Sequence, residues 1–203
     1  MVRLEPVDAV EVTLVVDNFV DIFLASAEGA RRLPLAYDLY DHQQLVAEHG
    51  FSALVTVKSQ GRRSSILYDG GMTPRGLGNN LEVIQVDPAG LRAIVISHGH
   101  VDHHGGLEGL AARTGRRLPL LIHPGAWRDH KLTFPTGAEL HLPPPSRADL
   151  EAARAWRWWR SAAPPCWWMA GCCSRARYPG SPGSRSASPS TRRGPAGAGS
   201  PTR

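Results

Sequence analysis

No stretch of about 18 consecutive apolar residues occurs in the 203-residue chain, which excludes an ordinary membrane-spanning helix. Cysteine is absent before Cys166, and Cys166, Cys172 and Cys173 lack the paired spacing of a zinc site. Histidine is absent after His141, although the chain holds nine. Acidic residues almost vanish after residue 150, where Glu151 stands against nine arginines. The first 150 residues carry 17 acidic and 14 basic side chains. The overall charge of +5 therefore joins a mildly acidic part to a strongly basic one, and five of the six tryptophans fall in the basic part. The N-terminus, Met1-Val2-Arg3-Leu4-Glu5-Pro6-Val7-Asp8, has acids where a secretory leader carries an apolar core, so a cytoplasmic location is expected.

What is present up to residue 150 reads as strands followed by strand–helix–strand units. Residues 10–17 are β-branched and end at the turn pair Asp17-Asn18, which predicts a strand. Residues 51–58 and 64–68 predict two more, joined as a hairpin through Gln60-Gly61-Arg62-Arg63. Asp69-Gly70-Gly71 breaks the third. Residues 75–85 have a loose helical pattern, and Asp87-Pro88 is a helix-start or turn signal. Residues 91–96 form an apolar strand, 107–113 a short helix ending near Gly115, 118–122 a strand, 124–131 a short helical segment, and 147–153 the start of a helix. This order predicts a mixed α/β domain over residues 1–150 with helices covering a sheet.

The strand over 91–96 runs into Ser97-His98-Gly99-His100-Val101-Asp102-His103-His104-Gly105-Gly106. Residues two apart in extended chain point the same way, so His98 and His100 can meet at one ion. Asp102 and His103 follow through a tight turn and add a carboxylate and a third imidazole. Nitrogen and carboxylate donors at this density suit Zn²⁺ best, with iron or manganese as alternatives. His104 fits a surface position at a helix start as well as it fits a ligand. Gly105 and Gly106 let the backbone bend and pack closely.

The spacing His98-x-His100-x-Asp102-His103 resembles the signature of the metallo-β-lactamase-fold superfamily. That resemblance implies an αββα sandwich of which residues 1–150 supply the N-terminal half. It makes His98 and His100 ligands of one metal, and Asp102 and His103 ligands of a second. Asp102 would also orient the attacking water, a catalytic role. Asp69 matches an aspartate that supports the metal histidines in the family. This chain has Asp-Gly-Gly where the family has Asp-Thr-Gly, and a plain β-turn is the alternative reading of Asp69. Val16-Asp17-Asn18 with Asp21, His49-Gly50-Phe51-Ser52 and Ser97-His98-Gly99-His100 resemble the branch named after the dihydropterin ribofuranosylaminobenzene phosphate synthase. His49 fits either a pocket position or a turn before its strand, and the turn is the preferred reading. The implied activity is hydrolysis of a small-molecule substrate by metal-activated water. The alternatives are metal-assisted transfer in pterin biosynthesis and a non-catalytic metal-binding fragment.

The remaining family ligands have no good match. After His103 the chain offers His104, His123, His130 and His141, and only His123, behind an apolar strand, is placed to enter a pocket. Residues 151–203, rich in Arg, Trp, Pro, Gly and Ser, have the composition of a disordered tail. A reading-frame shift near codons 151–156 of a GC-rich gene is the hypothesis offered for the abrupt junction, to be tested by sequencing the gene across it. Arginines interleaved with aromatics also suit single-stranded RNA or an anionic surface, but basic tails are more often incidental, so neither nucleic acid nor membrane is the expected partner.

Overall fold

The computed structural model describes residues 5–33, 42–152 and 156–158. Most of the arginine-rich segment, with its expected disorder, lies outside the described residues.

Three N-terminal strands form an antiparallel meander. β1 (Ala9–Val16) pairs with β2 (Ser52–Ser59), and β2 with β3 (Arg62–Tyr68) through the turn at Gln60-Gly61. Gly61 has φ +72, which suits glycine. Glu11 on β1 receives Lys58 of β2 and Arg63 of β3, and the Lys58 ammonium holds its carboxyl below the usual range. Parallel strands then extend the sheet: β4 (Ala93–Ile96), β5 (Leu118–Ile122) and β8 (Trp156–Trp158), in spatial order β1-β2-β3-β4-β5-β8. The strand at Trp156–Trp158 extends the sheet beyond residue 150, past the boundary expected from composition.

The crossovers are helical. α1 (Pro74–Val83) links β3 to β4; α2 (Val101–His104) and α3 (Leu107–Arg113) link β4 to β5. α1 starts sharply because Thr73 Oγ1 accepts the Gly76 N–H at 2.9 Å and Pro74 occupies the first turn. The Glu48 carboxylate accepts from the Met72 and Thr73 amides and the Thr73 hydroxyl, placing negative charge at the helix start. Asn80 faces inward: its amide donates to Val15 O and Val46 O and accepts from Val46 N–H, tying the segment before β2 to β1.

The core lies on one face of the sheet. Leu54, Leu67, Ile94 and Leu120 sit opposite one another across β2-β3-β4-β5 and pack with Leu77, Leu81, Leu107 and Leu110 of α1 and α3. Each such fully buried leucine contributes about 1.5–3 kcal/mol relative to exposure. Leu150 of α4 (Arg147–Ala152) joins the same cluster. The opposite face differs. Val10, Val12 and Leu14 are 53%, 60% and 54% exposed, and the row Leu14–Ala53–Tyr68–Val95–Leu121 continues that face. One helix layer on one sheet is half of a four-layer sandwich.

The helical segment expected over 124–131 is a single 3-10 turn, Pro124–Trp127. Arg128 is extended, and β6 (His130–Thr133) pairs with β7 (Glu139–Leu142) in a two-stranded sheet. Cross-strand pairing thus overrides the weak helical pattern around His130.

Candidate metal centre

The candidate residues gather at the C-terminal ends of two neighbouring parallel-register strands, β3 and β4. Open α/β sheets place their ligands at such ends. Asp69 terminates β3 and Ser97 terminates β4. The Asp69 amide donates to Val95 O at 2.8 Å, so the two strand ends are locked together.

Asp69 is 1% exposed and has φ +59. Its carboxylate accepts from Ser97 N–H at 2.7 Å and Ser97 Oγ at 2.8 Å, and contacts His103 Nδ1 at 2.8 Å. The Ser52 hydroxyl donates to its carbonyl at 2.9 Å. A turn residue with no further duty needs none of these partners. Ser97 Oγ also lies 2.8 Å from His98 Nδ1. One hydroxyl carries one proton. If Ser97 gives it to the Asp69 carboxylate, the contact to His98 requires His98 Nδ1 to be the donor. Asp69, as an acceptor, likewise requires the proton of neutral His103 on Nδ1. The network therefore assigns both rings the tautomer with an unprotonated Nε2. A metal-binding imidazole held by its other nitrogen has this arrangement.

The rings are close. The centroids of His98 and His100 are 4.6 Å apart, and those of His98 and His103 are 4.2 Å apart. Asp102 Oδ2 lies 3.5 Å from His103 Nε2 and 3.5 Å from His49 Nε2. His49, read from sequence as a turn residue, thus borders the acidic side of the cluster with an exposed side chain. Burial, then the charges of His103 and His100, push the His98 pKa down. A ring kept neutral retains the lone pair a metal needs. Among the described residues no three His, Cys, Asp or Glu side chains are drawn together closely enough to hold an ion as they stand. The donors are oriented and crowded, but the set is not closed. The chemistry of the donor set fits a divalent metal; His98, His100, Asp102 and His103 are the residues that would hold it.

Local geometry explains the loop. His98 and His100 lie beyond the end of β4 rather than within it. Asp102 and His103 sit on α2, one short helical turn where a tight turn was expected. Backbone bonds pin that turn to its surroundings: Gly70 N–H to His103 O at 2.6 Å and Phe51 N–H to Asp102 O at 3.2 Å. Gly106 has no room for a side chain, since a methyl there would collide with Gly70 O and lie 2.9 Å from Leu77.

His104 is 6% exposed, which corrects the surface reading. Desolvation lowers its pKa, opposed by backbone hydrogen bonding that involves Pro143 and Gly99. Its Nε2 has no partner among the described residues. His123, the candidate for entering a pocket, instead caps the following 3-10 turn, its Nδ1 accepting from Gly125 N–H at 3.0 Å. Sequence reasoning passed over His130. Its ring lies 5.3 Å from that of His100 at an interplanar angle of 86°, and its buried Nδ1 has no partner among the described residues. Leaving such a buried nitrogen unpaired costs about 1–3 kcal/mol. In the sequence Ser97 is only part of the Ser97-His98-Gly99-His100 motif, with no role assigned to it; the structure makes it the bridge between Asp69 and His98.

The sequence profile of the metallo-beta-lactamase superfamily matches residues 47–155, more than half of the chain. The chain belongs to this superfamily. Its members generally bind divalent metals. The chain is 31% identical over 96 residues to the 7,8-dihydropterin-6-methyl-4-(beta-D-ribofuranosyl)-aminobenzene-5'-phosphate synthase of Methanocaldococcus jannaschii, covering 47% of this chain and 32% of that protein. It is 37% identical over 88 residues to an uncharacterised protein of the same organism, covering 43% of this chain and 32% of that one. The chain thus spans about a third of the length of these relatives. Among solved structures, a metallo-beta-lactamase from Cronobacter sakazakii matches with 30% identity and a TM-score of 0.31, over 46% of this chain and 38% of that one.

Proposed function

We propose that the loop from His98 to His103 binds a divalent metal, zinc in the first place, with iron or manganese as alternatives, in the service of hydrolysis of a small-molecule substrate. The observation that carries this reading is the network on Asp69. One buried carboxylate and one serine hydroxyl hold His98 and His103 by Nδ1, which leaves Nε2 as the metal-facing nitrogen of each ring, that of His103 lying 3.5 Å from Asp102 Oδ2. When bound, the metal would supply electrophilic activation of water and of the attacked oxygen. The residues do the rest. Asp69 fixes the ring planes, burial lowers the His98 pKa and so favours the neutral form a metal needs, and Asp102 places a carboxylate between His49 and His103, where it can accept a hydrogen bond from an incoming water and orient it.

Elemental analysis of the purified chain is expected to find bound zinc, iron or manganese that a chelator removes. The His98→Ala/His100→Ala double variant is expected to lose it while keeping its circular dichroism. A double variant that retains the wild-type metal content would overturn the assignment.

A second reading is metal-assisted transfer rather than hydrolysis. The relatedness to the dihydropterin phosphate synthase over 96 residues supports it. Turnover of a phosphoribosyl-type substrate without net water consumption would favour it. Metal bound with neither activity would favour a non-catalytic metal-binding role.

A further inference from the structure

We infer that His130 is a ligand of this same metal, reaching it from the β6–β7 hairpin. The inference rests on the metal reading above and deepens it. The superfamily resemblance supplies no match for a further histidine in the second half of the chain, and among the described residues, His130 included, no three donor side chains stand close enough to hold an ion as they are placed. His130 is the histidine outside the loop whose ring contacts one inside it. Its centroid is 5.3 Å from that of His100, and the two planes are nearly perpendicular at 86°. Two imidazoles sharing one tetrahedral zinc, each with Zn–N near 2.0–2.1 Å, have ring centres roughly 5 Å apart. The packing of His100 and His130 already has that spacing.

Two more observations agree. His130 Nδ1 is buried and has no hydrogen-bond partner among the described residues, so this nitrogen has an unmet need that a cation satisfies. The position is also fixed from both sides. His130 pairs with Leu142 in the hairpin, and the 3-10 turn before it packs so tightly on the loop that a methyl at Gly99 would collide with the Ala126 backbone. His123, nearer in sequence, is used as a cap, and His141 on β7 is exposed.

Cobalt(II), read by its visible and near-ultraviolet absorption, tests this on the full chain. The wild type is expected to bind one equivalent or more. His130→Ala is expected to weaken cobalt binding at least tenfold with circular dichroism unchanged. His130→Cys is expected to restore binding and to add a thiolate-to-cobalt charge-transfer band beyond that of the wild type, which contains Cys166, Cys172 and Cys173. Wild-type binding that both variants leave unchanged, with no new band, would overturn the role of His130 and leave the loop assignment standing. No cobalt bound by the wild type would overturn both. If His130→Cys fails to fold, His130→Gln replaces it: affinity within twofold of wild type refutes the role, and a tenfold loss sustains it.

Discussion

Replacing Asp69 separates a metal-orienting carboxylate from a turn residue. Asp69→Asn is the informative change, because asparagine tolerates the left-handed backbone at φ +59 and keeps the side-chain shape. The carboxylate now receives Ser97 N–H, Ser97 Oγ–H and His103 Nδ1–H. An amide offers one oxygen for these three donors and brings an N–H₂ of its own. At least one donor–donor clash must be relieved by turning a ring or the serine hydroxyl. Hydrogen bonds to a charged group contribute about 1.5–3 kcal/mol each. Ser97 and His103 are partly open to water, so part of the loss is recovered. The expected net destabilisation of the metal-free chain is about 1–2 kcal/mol.

The effect on metal is expected to be larger in proportion. Losing the carboxylate frees His98 and His103 to adopt the other tautomer, and removing such an orienting partner typically costs about 10–100-fold in metal affinity. The assay has two parts: urea unfolding in chelator, followed by tryptophan fluorescence, and competitive zinc titration with a chromophoric chelator. Lower stability with zinc affinity within twofold of wild type would refute the reasoning. It would make Asp69 a brace between β3 and β4 and nothing more.

Other changes have equally definite outcomes. Gly106→Ala forces a methyl against Gly70 O and Leu77 and is expected to cost about 1–3 kcal/mol, seen as a lower urea midpoint. In chelator, stability is expected to fall as pH drops below about 6.5. Burial lowers the folded-state pKa of His104, so the unfolded chain takes up the proton first, and the loss continues until pH passes the folded value; His104→Gln should flatten that part of the pH–stability curve. Val12→Lys, on the open face of the edge strand, is expected to reduce light scattering on concentration while shifting the unfolding midpoint by no more than about 0.5 kcal/mol. Unchanged scattering would show that this face does not drive association.

The parts of the fold that were legible in the sequence are those with strong local signals. The hairpin of β2 and β3 is marked by the polar-glycine turn at Gln60-Gly61 between two apolar runs, and α3 by an apolar pattern ending before Gly115. The segment from residue 124 to 142 was not legible, because a single turn and two four-residue strands are decided by partner strands, not by propensity, whereas the helix expected over 147–153 is present as α4. Within the site, the spacing from His98 to His103 identifies donors but not their supports. Ser97 bridges Asp69 and His98 across 28 residues of sequence, and His130 meets His100 from a different sheet. Such contacts depend on tertiary placement, to which the periodicity of either segment is blind.

The supports of the loop come from a short stretch of chain. Phe51 N–H holds Asp102 O and Gly70 N–H holds His103 O, the Asp69 carboxylate holds Ser97 and His103 while Ser52 holds its carbonyl, and Gly106 seats the helix that follows. Orientation of the histidines is thus a property of the N-terminal half-sandwich and does not need a second sheet. Closure of the coordination set is a different matter, since among the described residues no three donor side chains stand close enough to hold an ion. The same division runs through the sheet: one face is sealed by α1 and α3, while the face of Val10, Val12 and Leu14 stays open. Stability and site geometry therefore predict separate responses. Metal should tighten the loop and leave the exposed strand as prone to association as before, because no residue of the site lies in the row of Val10, Val12 and Leu14.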